Sequence, residues 1–298
     1  MTLRYLNLCI AVFIFCSCNS HSDKKVNDQL SNKEKEEGVS YSYDLNQPLK
    51  KWNLPAPLKE ISGQTWIDND HLLAIEDLTP TLYLLRLDDT LTVEKTTLFN
   101  VAPDKKFDIE DVSKGENTIY ALWSHGSVFK ISDWETQPKS QEYSTELSKK
   151  NNTEGLCYDP VSQNLLIACK DESDVDEEKK STRSIFEFDL KTNTLKPEPF
   201  LLIHKKDLKK FADEKLAFYP SAIAVHPITH DIYILSTKDT KCMARFSYNG
   251  ELKSLQFIDK GLMPQPEGIC FAPDGTLYIS TEGRHGDQAA ILKFAYSN

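Results

Sequence analysis

Five glutamates fall at equivalent places in a chain that repeats itself: Glu76, Glu110, Glu154, Glu267 and Glu282. Carboxylates brought to one point repel one another unless they are paired or bind a cation. As hard oxygen donors they suit Ca²⁺ or Mg²⁺, and Ca²⁺ is the cofactor to expect if the site holds one. Lys170, Lys238 and Arg284 stand beside them and would meet a negatively charged ligand. Two kinds of chemistry follow. The acidic group can bind a small ligand, a divalent cation or a protein partner without catalysis. Alternatively, Ca²⁺ held by Glu76, Glu154 and Glu267 would act as a Lewis acid in a metal-dependent hydrolase, a phosphoesterase or a sugar lactonase. A plainer use of Glu-Gly is a structural turn, its carboxylate accepting backbone N–H groups.

Other chemistry-bearing residues point to less. His226 and His230 have a spacing that binds metal on a helix, but HPITHD (226–231) occupies a hairpin-turn position. The acidic run DESDVDEE (171–178) lacks the glycine and closing glutamate of a calcium loop and reads as a solvated loop. There is no G-x-S-x-G elbow, phosphate loop or dinucleotide fingerprint. Cys157, Cys169, Cys242 and Cys270 have no metal-ligand spacing and read as small buried residues.

The glutamates are equivalent because five stretches echo one another: 61–77, 109–124, 153–170, 220–237 and 266–282. Each runs from a small or acidic residue through an apolar alternation, a turn, and a second alternation. Third alternating runs follow, such as TLYLLRL (81–87), SIFEFDL (184–190) and AILKFAY (290–296). Period-two hydrophobicity between turn residues predicts strands. Strand units recurring about every forty-five residues predict a β-propeller. The first core residues of the echoes are Gly63, Asp111, Gly155, Ala222 and Gly268. The longer interval before Ala222 is short of the two blades that a six-bladed count would need. Its surplus, HKKDLKKFADEKLAFY (204–219), predicts an inserted helix or long loop. The fold expected is all-β, a five-bladed propeller over residues 41–298. YSYDL (41–45) is the strand expected to pair with ILKFAY and close the last blade, whose outer edge would otherwise be open. In such a ring the inner-strand starts and second-strand ends share one face, so the glutamates converge on the mouth of a central channel.

The first eighteen residues, MTLRYLNLCIAVFIFCSC, combine one arginine with an apolar run and Ser17-Cys18. That pattern predicts a lipoprotein signal peptide over 1–18, with acylation at Cys18 and a membrane partner through the lipid. Residues 19–40 are polar and charged, too poor in apolar groups to fold, and predict a disordered tether. Asn19 after Cys18 favours the outer membrane within the cell envelope. Acidic residues outnumber basic ones 45 to 35, for a net charge of −10, which argues against nucleic acid as a partner.

Three stretches, ISGQTW (61–66), TEGLCYDP (153–160) and LMPQPEGICFAPDGTLYISTE (262–282), resemble the SdiA-regulated (YjiK-like) family of bacterial envelope β-propellers. The resemblance covers about residues 45–296. It implies a five-bladed, phytase-like propeller in the envelope, no established enzymatic activity, and a link to calcium. Glu154 and Glu267 match the family's Glu-Gly positions and Lys170 its second-strand lysine. The second echo departs with Glu110-Asp111-Val112, and the fourth with Ser221-Ala222, so a symmetric metal ring is not implied.

Overall fold

The computed structural model describes residues 42–101, 107–173, 181–212, 216–283 and 287–297. Residues 1–41 lie outside them, so the signal, the tether and Cys18 do too; Arg284 and residues 174–178 of the acidic run 171–178 are likewise outside.

The alternating runs form β-strands in five antiparallel sheets, each a blade. Blade one is β2 (Ile61–Asp68), β3 (His71–Glu76), β4 (Thr81–Arg86) and β5 (Thr92–Leu98). Blade two is β6 (Ile109–Lys114), β7 (Ile119–Trp123), β8 (Val128–Ser132) and β9 (Lys139–Tyr143). Blade three has β10 (Thr153–Asp159), β11 (Asn164–Cys169) and β12 (Thr182–Asp189), with β13 (Thr194–Leu195) and β14 (Leu201–His204) sharing the outer edge of β12. Blade four is β15 (Pro220–Val225), β16 (Ile232–Ser236), β17 (Cys242–Phe246) and β18 (Leu252–Phe257). Blade five is β19 (Gln265–Phe271), β20 (Leu277–Glu282) and β21 (Ala290–Phe294), completed by β1 (Lys50–Asn53). The inner strands β2, β6, β10, β15 and β19 touch in a closed cycle.

The chain is held together between blades. Each of five apolar clusters joins one blade to the next, because alternate residues of a strand face opposite neighbours. The free thiols of Cys157, Cys242 and Cys270 are buried in these layers, as is Cys169.

One expectation is corrected. The closing strand is KKWN, not YSYDL: Trp52 pairs with Ile291 and Lys50 with Lys293. Tyr43 and Leu45 instead leave the sheet and enter the core between blades four and five. Their inward side chains are spent on that layer, so the segment cannot also lie flat as an edge strand. The long interval before blade four holds β13, β14 and then, within the predicted inserted helix or loop, a single helical turn, α1 (Lys205–Leu208).

Turn chemistry explains the histidines. In blade three, Asp159 accepts hydrogen bonds from the N–H groups of Val161 (2.9 Å) and Ser162 (3.2 Å) and shapes the hairpin. In blade four His226 does the same work, its Nδ1 accepting from Ile228 (3.2 Å) and Thr229 (3.1 Å). Because Nδ1 accepts, the ring proton sits on Nε2, which donates to Tyr43 Oη at 2.9 Å. Tyr43 in turn donates to the carbonyl of Gly275 at 2.6 Å.

Candidate functional site: the channel mouth

Every inner strand breaks register at the same place. The pairing skips Ser62 between Ile61 and Gly63, Glu110 between Ile109 and Asp111, and Glu154 between Thr153 and Gly155. It skips Ser221 between Pro220 and Ala222, and Glu267 between Pro266 and Gly268. A bulged residue is freed from the ladder and its side chain re-aimed. Five matching bulges therefore present one side chain per blade at the same end of the channel.

A cavity of about 130 Å³ lies at that mouth, lined by Ser62, Asp77, Glu110, Glu154, Lys170, Gln265, Glu267 and Glu282. Carboxyl groups reach it from blades one, two, three and five. Blade four gives none: its bulged residue is Ser221, whose hydroxyl donates to the carbonyl of Pro266 at 2.9 Å. Lys170 Nζ meets Glu154 Oε2 at 2.8 Å, and Asn152 donates to Glu154 Oε1 at 2.9 Å. Gln265 donates to Glu282 Oε2 at 2.5 Å. One oxygen of Asp77, Oδ1, is buried and meets no hydrogen-bond partner.

One ammonium is set among five carboxyls, and the proton equilibria show it. Burial raises the Glu267 carboxyl to about 8; Lys170 opposes the shift, while Glu154 and Glu282 add to it. Glu110 is held well above the ordinary carboxylate range by burial, then by Glu154 and Asp108. Burial also raises Glu154 against the pull of Lys170. Asp77 is pushed up to about 6 by burial and by the nearby carboxyls of Glu60, Glu76 and Asp108. Burial disfavours charge on Lys170, yet Glu154 and Glu267 outweigh it and hold the ammonium above its usual value. At neutral pH Glu267 thus keeps its proton, and Glu110 is shifted in the same direction.

Of the residues singled out from sequence, Glu110, Glu154, Glu267, Glu282 and Lys170 come together here. Glu76 does not. It faces away and accepts from the N–H of Leu78 (2.9 Å) and the hydroxyl of Thr79, shaping the turn, while its neighbour Asp77 takes the place at the mouth. Lys238 is exposed and lies 4.6 Å over the ring of Tyr219, outside the cavity lining. Asn152 and Gln265 were not singled out, although Gln265 belongs to the distinctive Pro-Gln-Pro-Glu-Gly stretch. Among the described residues no group of three or more His, Cys, Asp or Glu is placed to hold a metal ion. With Glu154 engaged by Lys170 and Glu76 by its turn, the arrangement does not fit a Ca²⁺ centre, which needs six to eight oxygen ligands.

The model of the family described as SdiA-regulated matches residues 40–284. No curated protein matches the sequence. Among solved structures, the glutaminyl cyclase of Myxococcus xanthus is similar at 13% identity and a TM-score of 0.54, covering 85% of this chain and 97% of that one. The PQQ-bound aldose sugar dehydrogenase of Streptomyces coelicolor is similar at 11% identity and a TM-score of 0.53, covering 84% and 98%. At such identities the likeness is one of fold.

Proposed function

The chain belongs to the SdiA-regulated family, and from its channel mouth we propose that it is a non-catalytic binding module taking a small organic cation. The observation that carries this is the cavity in which carboxyls of four blades surround the single ammonium of Lys170. An ammonium ligand needs only hydrogen-bond acceptors, not a shell of convergent oxygens. Its charge would oppose the burial and the neighbouring carboxyls that keep Glu267 protonated and raise Glu110. Binding therefore displaces protons, and affinity rises with pH.

The apolar leader ending at Ser17-Cys18 and the polar stretch 19–40 support a lipid-anchored placement in the cell envelope, with Asn19 favouring the outer membrane. The net charge of −10 supports a role without nucleic acid.

Isothermal titration of residues 40–298 with putrescine and ethanolamine tests the mouth, with Ca²⁺ as the comparison. The expected result is saturable amine binding that is tighter at pH 8 than at pH 6, releases protons, and is lost in Glu267→Gln. Absence of amine binding at both pH values would reject the reading. Tighter binding of Ca²⁺ than of either amine would replace it with a metal site.

A further inference from the structure

The channel has a second end. Inner strands that enter at the acidic mouth leave past Trp66, Lys114, Tyr158, Val225 and Phe271, one residue per blade at matching positions. These residues ring a cavity of about 320 Å³, over twice the volume of the acidic one, with Val112, Leu156 and Ile269 on its walls. Its size and apolar walls with few polar groups are those of a small-molecule pocket. Among the described residues no Asp or Glu lines it, although the protein as a whole is acidic.

Two polar groups there lack the partners their burial calls for. Lys114 is half-buried, with its ammonium 5.9 Å from the Trp66 ring centre and 3.4 Å from the carbonyl of Ile67, and it forms no ion pair with any described residue. Gln64, also on the lining, is 1% exposed, and neither its amide nitrogen nor its oxygen has a hydrogen-bond partner. An unpaired amide at such a depth is unfavourable and gains from any polar atom brought to it. The half-exposed rings of Trp66, Tyr158 and Phe271 offer flat apolar faces around the one cation.

We propose that this second mouth is a separate binding site for a small aromatic carboxylic acid. The planar body lies among Trp66, Tyr158 and Phe271, and the carboxylate meets the Lys114 ammonium. A neutral ring would leave Lys114 unanswered, and a cationic one would be repelled by it.

Binding of 1-naphthoate to residues 40–298, read by titration calorimetry and by tryptophan fluorescence, tests the site. Neutral 1-naphthamide and cationic 1-naphthylmethylamine serve as comparisons. Saturable binding is expected in the order naphthoate, naphthamide, naphthylmethylamine. Lys114→Gln should weaken naphthoate about tenfold while leaving naphthamide within twofold. Trp66→Leu should weaken both. Glu267→Gln, at the opposite mouth, should bind naphthoate as the unaltered protein does, so failure of the acidic site and failure of this one are told apart. No saturable naphthoate binding by folded protein, or unchanged affinity in Lys114→Gln, would overturn the proposal. Tighter binding of octanoate than of naphthoate would overturn the assignment of an aromatic body.

Discussion

Gly63 leaves open the space that Asp111 fills. A methyl group at Gly63 would lie 2.7 Å from the Asp111 Cα and overlap its carboxylate. The Asp111 side chain is buried, accepting from the N–H of Val112 at 2.8 Å and of Leu156 at 2.7 Å, so it ties blade two to blade three. This is the physical content of the second repeat's departure from Glu-Gly: an aspartate replaces the glycine there and the glycine of blade one makes room for it.

Gly63→Ala should therefore destabilise the protein by about 3 kcal/mol, since backbone as well as side chain stands in the way. Asp111→Gly alone should cost about 2 kcal/mol through two backbone donors left unpaired. The double variant should cost less than the sum by about 1 kcal/mol or more, because removing the carboxylate relieves part of the overlap. Urea denaturation of the four proteins measures the coupling.

Stability should fall as pH rises through the range set by Glu267. Its carboxyl titrates at about 8 when folded, against an ordinary value of 4.5. The unfolded chain thus releases a proton that the folded chain keeps. The contribution is complete below pH 4.5 and is lost as pH climbs through 8. Glu267→Gln should remove this fall, on the order of 2–3 kcal/mol between pH 5 and pH 8. Denaturation midpoints at three pH values decide it; an equal slope in both proteins would contradict the protonated mouth.

His226 should act in the opposite direction. Burial, then the charges of Arg245 and His230, push its imidazole down to about 4 from 6.5. The neutral ring is required because Nδ1 accepts two backbone N–H bonds. Its contribution is present above pH 6.5 and is lost as pH falls through 4, by on the order of 2–3 kcal/mol. Tyr43→Phe should cost about 1–2 kcal/mol, because it leaves both the Nε2–H of His226 and the Gly275 carbonyl unanswered. Thermal melts at pH 4.5 and 7 distinguish these effects from simple loss of packing.

Lys170 and Glu154 are in contact but should not be equivalent. Lys170→Met strands Glu154, Glu267 and Glu110 without their shared cation and should cost about 3 kcal/mol at pH 8. Glu154→Gln leaves Lys170 with the carboxyls of Glu267 and Glu110 and should cost about 1 kcal/mol. A reversed order in chemical denaturation would mean that the ammonium serves Glu154 alone.

The ring of blades was legible because apolar alternation and turn residues recur, and the mouth because equivalent repeat positions must share an end. What sequence did not reveal is local geometry. Glu76 and Asp77 are adjacent carboxylates, but Glu76 ends β3 and Asp77 follows it outside the strand; only the cavity lining shows that Asp77 reaches the mouth. The bulges that aim Glu110, Glu154 and Glu267 have no residue signature of their own. YSYDL alternates more clearly than KKWN, yet Tyr43 finds His226 and Gly275 while Trp52 finds the layer between blades five and one. Alternation says that a residue is buried, not against what.

The pairing of β1 with β21 also sets a timetable. Lys50 emerges roughly 240 residues before its partner Lys293. At synthesis rates of about 5–20 residues per second the wait is on the order of 10–50 s. Blades one to four can assemble in order as they appear, each on the last, but the first strand made is the last one seated. Until then two unfinished edges coexist, and pairing with another chain competes with closure. The brevity of β1 and its two lysines suit a strand that must stay single through that interval.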